Sequence, residues 1–149
     1  MTHHQHYRKL EQMYLNAPVN MDTYRNSSIE IGAGRATIQW PVEINFYHAL
    51  GALHGSAYFK MLDDAAFFAV QSEVTDFFIL TTSFNITFTR PVTGGILTAR
   101  GTVRSRSKSL FTADAVLVND HEKEVGFGTG QFMKSSRRLD DVAGYSLPS

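Results

Sequence analysis

Two adjacent carboxylates, Asp63 and Asp64, stand inside LHGSAYFKMLDDAAFFAVQS, residues 53–72, a stretch that is otherwise almost wholly apolar. Such a run, about 18 residues from His54 on, predicts a buried helix. An unpaired buried charge costs about several kcal/mol, so the two acids need either a partner or a task. Lys60 offers the partner. It lies three residues before Asp63 and four before Asp64, spacings that bring side chains together on a helix, and Asp64 is the better placed. The helix opens on His54-Gly55, and a helix N-terminus presents unpaired N–H donors and partial positive charge. That suits a developing oxyanion; capping is the plainer alternative for His54, and tight packing for Gly55. Arg104, Arg106 and Lys108 alternate along the chain, which points three cations to one face of a strand. Such a set suits phosphate groups, or guards a sheet edge. Arg90, before Pro91, is a further basic candidate. His3, His4 and His6 fall where chains fray and have no carboxylate at a ligand-like spacing, so they predict a polar tail and no metal.

These residues need elements to hold them. At 149 residues the chain suits one domain with a real core and no disulfide staples. Lys plus Arg and Asp plus Glu both total 14, so no global field favours nucleic acid or an anionic membrane. The absence of cysteine excludes thiolate nucleophiles and Cys-ligated zinc and fits a reducing cytosol. No apolar run approaches the roughly 18 residues of a membrane span, and a cytoplasmic protein is the expectation. Residues 1–27 read as an extension carrying a short helix over Arg8–Leu15. Strand-like alternation follows over Ser28–Val42, with a bend at Gly32 and Gly34, then a loop over Glu43–Leu53. After the helix come four strand-like runs forming an antiparallel meander, with VGFGTG read as a bulged strand; residues 137–149 read as a loose tail. In the first run the even positions Phe78 to Phe88 form one face, and Thr81, Ser83, Asn85 and Thr87 the other. The layout is α+β, one curved antiparallel sheet wrapped around one long central helix. A single sheet covers only part of so apolar a helix, and a second subunit would cover the rest.

HGSAYFKMLDDAAFFA resembles the His-Gly-(x)7-Asp helix of the hotdog-fold acyl-CoA thioesterases, in particular the phenylacetate-pathway (PaaI-like) group. LTTSFNITFTRPVTGG and VGFGTGQFM are similar to that group's strand after the helix and its closing strand, so the likeness runs from about Ile29 to Lys134. The resemblance implies a hotdog domain that hydrolyses acyl-CoA thioesters, with no cofactor beyond the coenzyme A of the substrate. It assigns Gly55 as oxyanion donor through its backbone N–H and Asp63 as nucleophile or general base. It also places a water-assisting hydroxyl at Thr81. Where the family usually carries Asn or Gln, six residues before His-Gly, this chain has His48. Arg90, Arg104, Arg106 and Lys108 become the candidates for the coenzyme A phosphates.

Asp63 lies eight residues beyond Gly55, about 12 Å along a helix, so one helix cannot bring both to one carbonyl. Two antiparallel helices related by a two-fold axis can, and the motif therefore predicts a homodimer with two equivalent sites. Dimers of this fold pair further into homotetramers. Two other functions share the fold. A hydratase or dehydratase would use His48 with Asp63, fifteen residues apart, and a non-catalytic module would bind acyl-CoA without cleaving it.

Overall fold

A computed structural model describes all residues, Met1–Ser149. Its longest helix, α3 (Gly55–Gln71), starts where His54 turns its Nδ1 back to accept the Ser56 N–H at 3.0 Å. Ala57, Met61, Leu62, Ala65, Ala66 and Ala69 line one face and are fully buried against the sheet. So many alanines let helix and sheet approach closely. At Gly101 the fit is so tight that a Cβ would lie 2.1 Å from the Ala65 carbonyl oxygen. The opposite stripe is left open: Phe59 is 42% exposed, and Asp63, Asp64 and Phe67 are half-buried.

Six strands, β1 (Ser28–Gly32), β2 (Arg35–Pro41), β3 (Phe77–Phe88), β4 (Ile96–Arg106), β5 (Leu110–Val118) and β6 (Glu124–Arg138), form one sheet around α3. Every neighbouring pair is antiparallel, in the order β1-β2-β4-β5-β6-β3. The α+β layout is therefore the expected one, and Gly34, at φ +66°, makes the bend between β1 and β2. The four later strands are not a simple meander. β4, β5 and β6 follow one another, but β3 lies beyond β6 at the sheet edge. Residues 89–95 carry the chain back across the end of the sheet, where the Leu53 N–H bonds Val92 O and the Val42 N–H bonds Gly95 O. A segment with Pro91 and this span cannot close a tight hairpin, so β3 and β4 do not pair.

Two bulges overturn simple alternation. Between Thr81 and Ser83 the β3–β6 register slips by one residue, so the helix-facing side chains change from odd to even positions. Ile79 and Thr81 face α3 before the slip; Phe84, Ile86 and Phe88 face it afterwards. Between Val103 and Ser105 the β4–β5 register slips likewise. Arg104 therefore pairs with Asp114 on the outer face (2.8 Å), while Arg106 turns inward to Glu73 (2.6 Å), just past α3. The three cations do not share a face; Lys108 sits exposed in the turn after β4. VGFGTG is strand, as expected, and the expected bulge falls at its first residue, where Val125 is the extra residue between the Leu117–Gly126 and Val118–Glu124 pairs. Gly128 and Gly130 have no side chain because the Phe84 ring occupies that space, 2.5 and 2.6 Å from where their Cβ atoms would be.

Both chain ends are docked. The first helix, α1 (His3–Leu15), begins five residues before the expected Arg8 because Thr2 and Gln5 form a reciprocal capping box. His6 is buried within it rather than part of a frayed tail. Its Nε2–H donates to Gln71 O (2.9 Å), and its Nδ1 accepts from the Tyr145 hydroxyl (2.6 Å). The expected loose tail after Arg137 is accordingly held: β6 continues to Arg138, and Leu139 and Tyr145 are buried. A second short helix, α2 (Pro18–Asp22), follows α1 and lies against the Lys60 side of α3. No helix is long and apolar enough to cross a membrane.

Candidate active site

Asp63 faces a cavity of about 430 Å³ walled mainly by apolar side chains, among them Met13, Val19, Phe67, Phe78 and Leu80. The Thr81 hydroxyl donates to Asp63 Oδ1 at 2.9 Å, which orients the carboxylate and leaves Oδ2 free. Burial pushes the Asp63 carboxyl up from 3.8 to about 6. The Thr81 hydrogen bond and Lys60 oppose that rise, and Asp64 adds to it. Such a carboxylate changes charge close to neutrality, the condition that suits proton transfer. The bulge at Thr82 makes the contact possible, since strict alternation would point Thr81 away from the helix.

Asp64 takes the other role. Its carboxylate is bonded to Lys60, as the four-residue spacing predicts. Lys60 Nζ also donates to Asn20 Oδ1 (2.8 Å) and lies over the rings of Tyr14 and Tyr24, 5.3 and 4.9 Å from their centroids. Burial raises the Asp64 carboxyl against the pull of Lys60.

Gly55 lies at the N-terminus of α3, in a separate cleft of about 470 Å³ that it shares with His48, Tyr58, Phe88 and Arg90. No group of the chain accepts the Gly55 N–H, which leaves that donor free. A side chain at Gly55 would meet the Phe88 ring at 3.1 Å. His54 is exposed, and its Nδ1 accepts the Ser56 N–H, which caps the helix. His48 Nδ1 accepts from the Leu50 N–H (3.1 Å), which orders the loop and sets the ring at the cleft wall.

The cleft therefore holds Gly55, His48 and Arg90, the cavity holds Asp63 and Thr81, and within one chain the two sets are separate. Arg104, Arg106 and Lys108 line neither. Two further participants carry no motif in the sequence. Tyr58 looks like core, but its hydroxyl donates to Arg90 O (2.7 Å) and braces the cleft wall. Asn20, in the N-terminal extension, meets Lys60 forty positions away and gives no local signal.

A family model described as the thioesterase superfamily matches residues 50–125, which contain Gly55, Asp63, Thr81 and Arg90 but not His48. No curated protein matches the chain. Among solved structures, the fold is similar to that of the E. coli PaaI protein from the phenylacetic acid degradation operon. That likeness has a TM-score of 0.82 at 23% identity and covers 93% of this chain and 99% of that one. Zebra fish thioesterase superfamily member 2 is similar at a TM-score of 0.75, with 17% identity over 86% of this chain and 95% of that one. A mutant of the phenylacetic acid degradation protein PaaI from Thermus thermophilus gives 0.69, with 20% identity over 77% and 97%. The curved sheet around one helix is thus the hotdog fold.

Proposed function

The chain belongs to the thioesterase superfamily, and from that premise we propose that it hydrolyses acyl-CoA thioesters at two equivalent sites shared across a homodimer. The observation that carries this reading is the half-buried Asp63 carboxylate, oriented by Thr81 inside an apolar cavity. Each site joins the cleft of one protomer to the cavity of its partner. The Gly55 amide donates to the thioester carbonyl oxygen as it gains charge, and the partner's Asp63 either draws a proton from water or attacks the carbonyl carbon itself. In the first route the water oxygen bonds the carbonyl carbon and ends in the free acid; in the second the Asp63 oxygen bonds it, and water then cleaves the resulting anhydride to release the acid and restore the carboxylate. In both the C–S bond breaks, and the thiolate of coenzyme A leaves and takes up a proton.

Two features support the pairing. β3 is a long sheet edge with nothing on its outer side, a row of donors and acceptors that a second copy would satisfy. The open stripe of α3, from Phe59 through Asp63 to Phe67, is the face such a copy would cover. Arg90 is our candidate for a coenzyme A phosphate, because it lines the Gly55 cleft. Arg104 and Arg106 are already engaged by Asp114 and Glu73.

Thiol release from a panel of acyl-CoAs tests the reading with three variants. Asp63→Asn should lose about 10²–10⁴ in kcat. Gly55→Ala, which puts a Cβ 3.1 Å from the Phe88 ring but keeps the N–H, is the control for that contact. Gly55→Pro adds the same Cβ and also deletes the oxyanion donor, at a position where proline is favoured and where His54, at φ −67° and ψ 144°, already has the backbone that a following proline requires. It should keep the fold and lose about 10²-fold or more in kcat. Binding of acyl-CoA without thiol release would overturn the proposal in favour of a binding module. Dehydration of a 3-hydroxyacyl-CoA would overturn it in favour of a dehydratase.

A further inference from the structure

We infer that the N-terminal segment Met13–Asn20 is a cap that closes the far end of the Asp63 cavity and sets the length of uncharged, apolar acyl group the cavity takes. This rests on Asp63 being the reacting carboxylate. On one side the cavity wall is Phe67, Phe78 and Leu80, from α3 and β3; on the other it is Met13, Ala17 and Val19, from the N-terminal segment. The family match begins at residue 50, so this second wall lies outside it.

The wall is fixed to the catalytic helix. Asn20, only 6% exposed, accepts from Lys60 Nζ through Oδ1 and donates from Nδ2 to Tyr14 O (2.8 Å), tying the end of α1 and the whole of α2 to one cation of α3. Lys60 is held in turn by Asp64 and by the faces of Tyr14 and Tyr24. The same arrangement defines the ligand. Lys60, the cavity's one cation, is already neutralised by Asp64, so nothing there would repay the desolvation of a second carboxylate at the end of an acyl group. An apolar tail meets carbon on both walls. Asn20 is a positioning residue here: it touches no reacting atom and acts by holding the cap down.

Ala17 and Val19 test this in opposite directions. Ala17, half-buried and in extended backbone, tolerates a larger side chain that would project into the cavity. Two quantities are measured on wild type and variants: kcat/KM for straight-chain acyl-CoAs from acetyl to dodecanoyl, and Kd by calorimetry for the matching S-alkyl coenzyme A thioethers. Ala17→Phe should lower the long-to-short ratio of both by about tenfold or more, and Val19→Ala should move the optimum to longer chains. Asn20→Ala should flatten the length profile through KM. It should also move the acid limb of kcat/KM to lower pH, since a loosened cap lets water reach the carboxylate.

Length profiles unchanged by both wall substitutions, or scaled equally at every length, overturn the cap. If the thioether profile shifts while no thioester is cleaved, the cap stands and the hydrolytic reading falls. If hydrolysis is present with unmoved profiles, the reverse holds.

Discussion

At the scale of single residues, Asp63 and Asp64 share a helix turn and do opposite things. Asp64 is neutralised by Lys60; Asp63 has only a hydroxyl, and burial lifts it to about 6. If the reaction needs the carboxylate, kcat/KM should fall as pH drops through about 6. Thr81→Val removes a bond that favours the charged form, so the acid limb should move to higher pH, read from a pH–rate profile. The same burial sets a stability effect. A carboxyl whose folded value lies above its unfolded 3.8 costs stability as pH rises between the two, and the full cost is present above about 6. Asp63→Asn should therefore stabilise the fold by about 2–3 kcal/mol at pH 7.5. It should give no gain at pH 4, as thermal unfolding at the two pH values would show. This pair was legible in the sequence because a carboxylate in an apolar helix is rare and the Lys60 spacing is local. The orientation of Thr81 was not, since it depends on a one-residue slip that alternation does not reveal.

At the scale of elements, small residues decide how closely α3 can lie on the sheet. Gly101 faces the Ala65 carbonyl with no room for a methyl group, and backbone cannot swing aside as a side chain can. Gly101→Ala should destabilise by about 3 kcal/mol, measured by chemical denaturation, because the whole helix must lift. The strands themselves were legible from period-two patterning and turn residues. Their order was not, because β3 pairs with β6 through contacts some fifty residues apart. The bulge at Arg104 likewise separates cations that alternation groups, and the docked ends carry no local signal because His6 and Tyr145 meet 139 positions apart.

At the scale of the whole molecule, one half-site stands at the N-terminus of α3 and the other at its middle, so the proposed mechanism requires a pair of chains. Gly55→Pro and Asp63→Asn chains, each inactive alone, should complement when mixed under exchange. Every mixed dimer carries one site with both groups intact and one with neither. Random pairing should then recover about a quarter of wild-type activity, measured by thiol release after co-refolding. No recovery would place Gly55 and Asp63 of the same chain in one site.

The open stripe on α3 carries one further consequence. If residue 55 of one helix faces residue 63 of its antiparallel copy, the numbering meets in the middle at 59. Phe59, the exposed ring of that stripe, then sits on the two-fold axis and faces itself. Every other residue of this helix stripe has a distinct neighbour on the partner helix that can compensate for a change. A substitution at Phe59 meets its own duplicate, so on this helix it is the position where a lone charge becomes a like-charged pair.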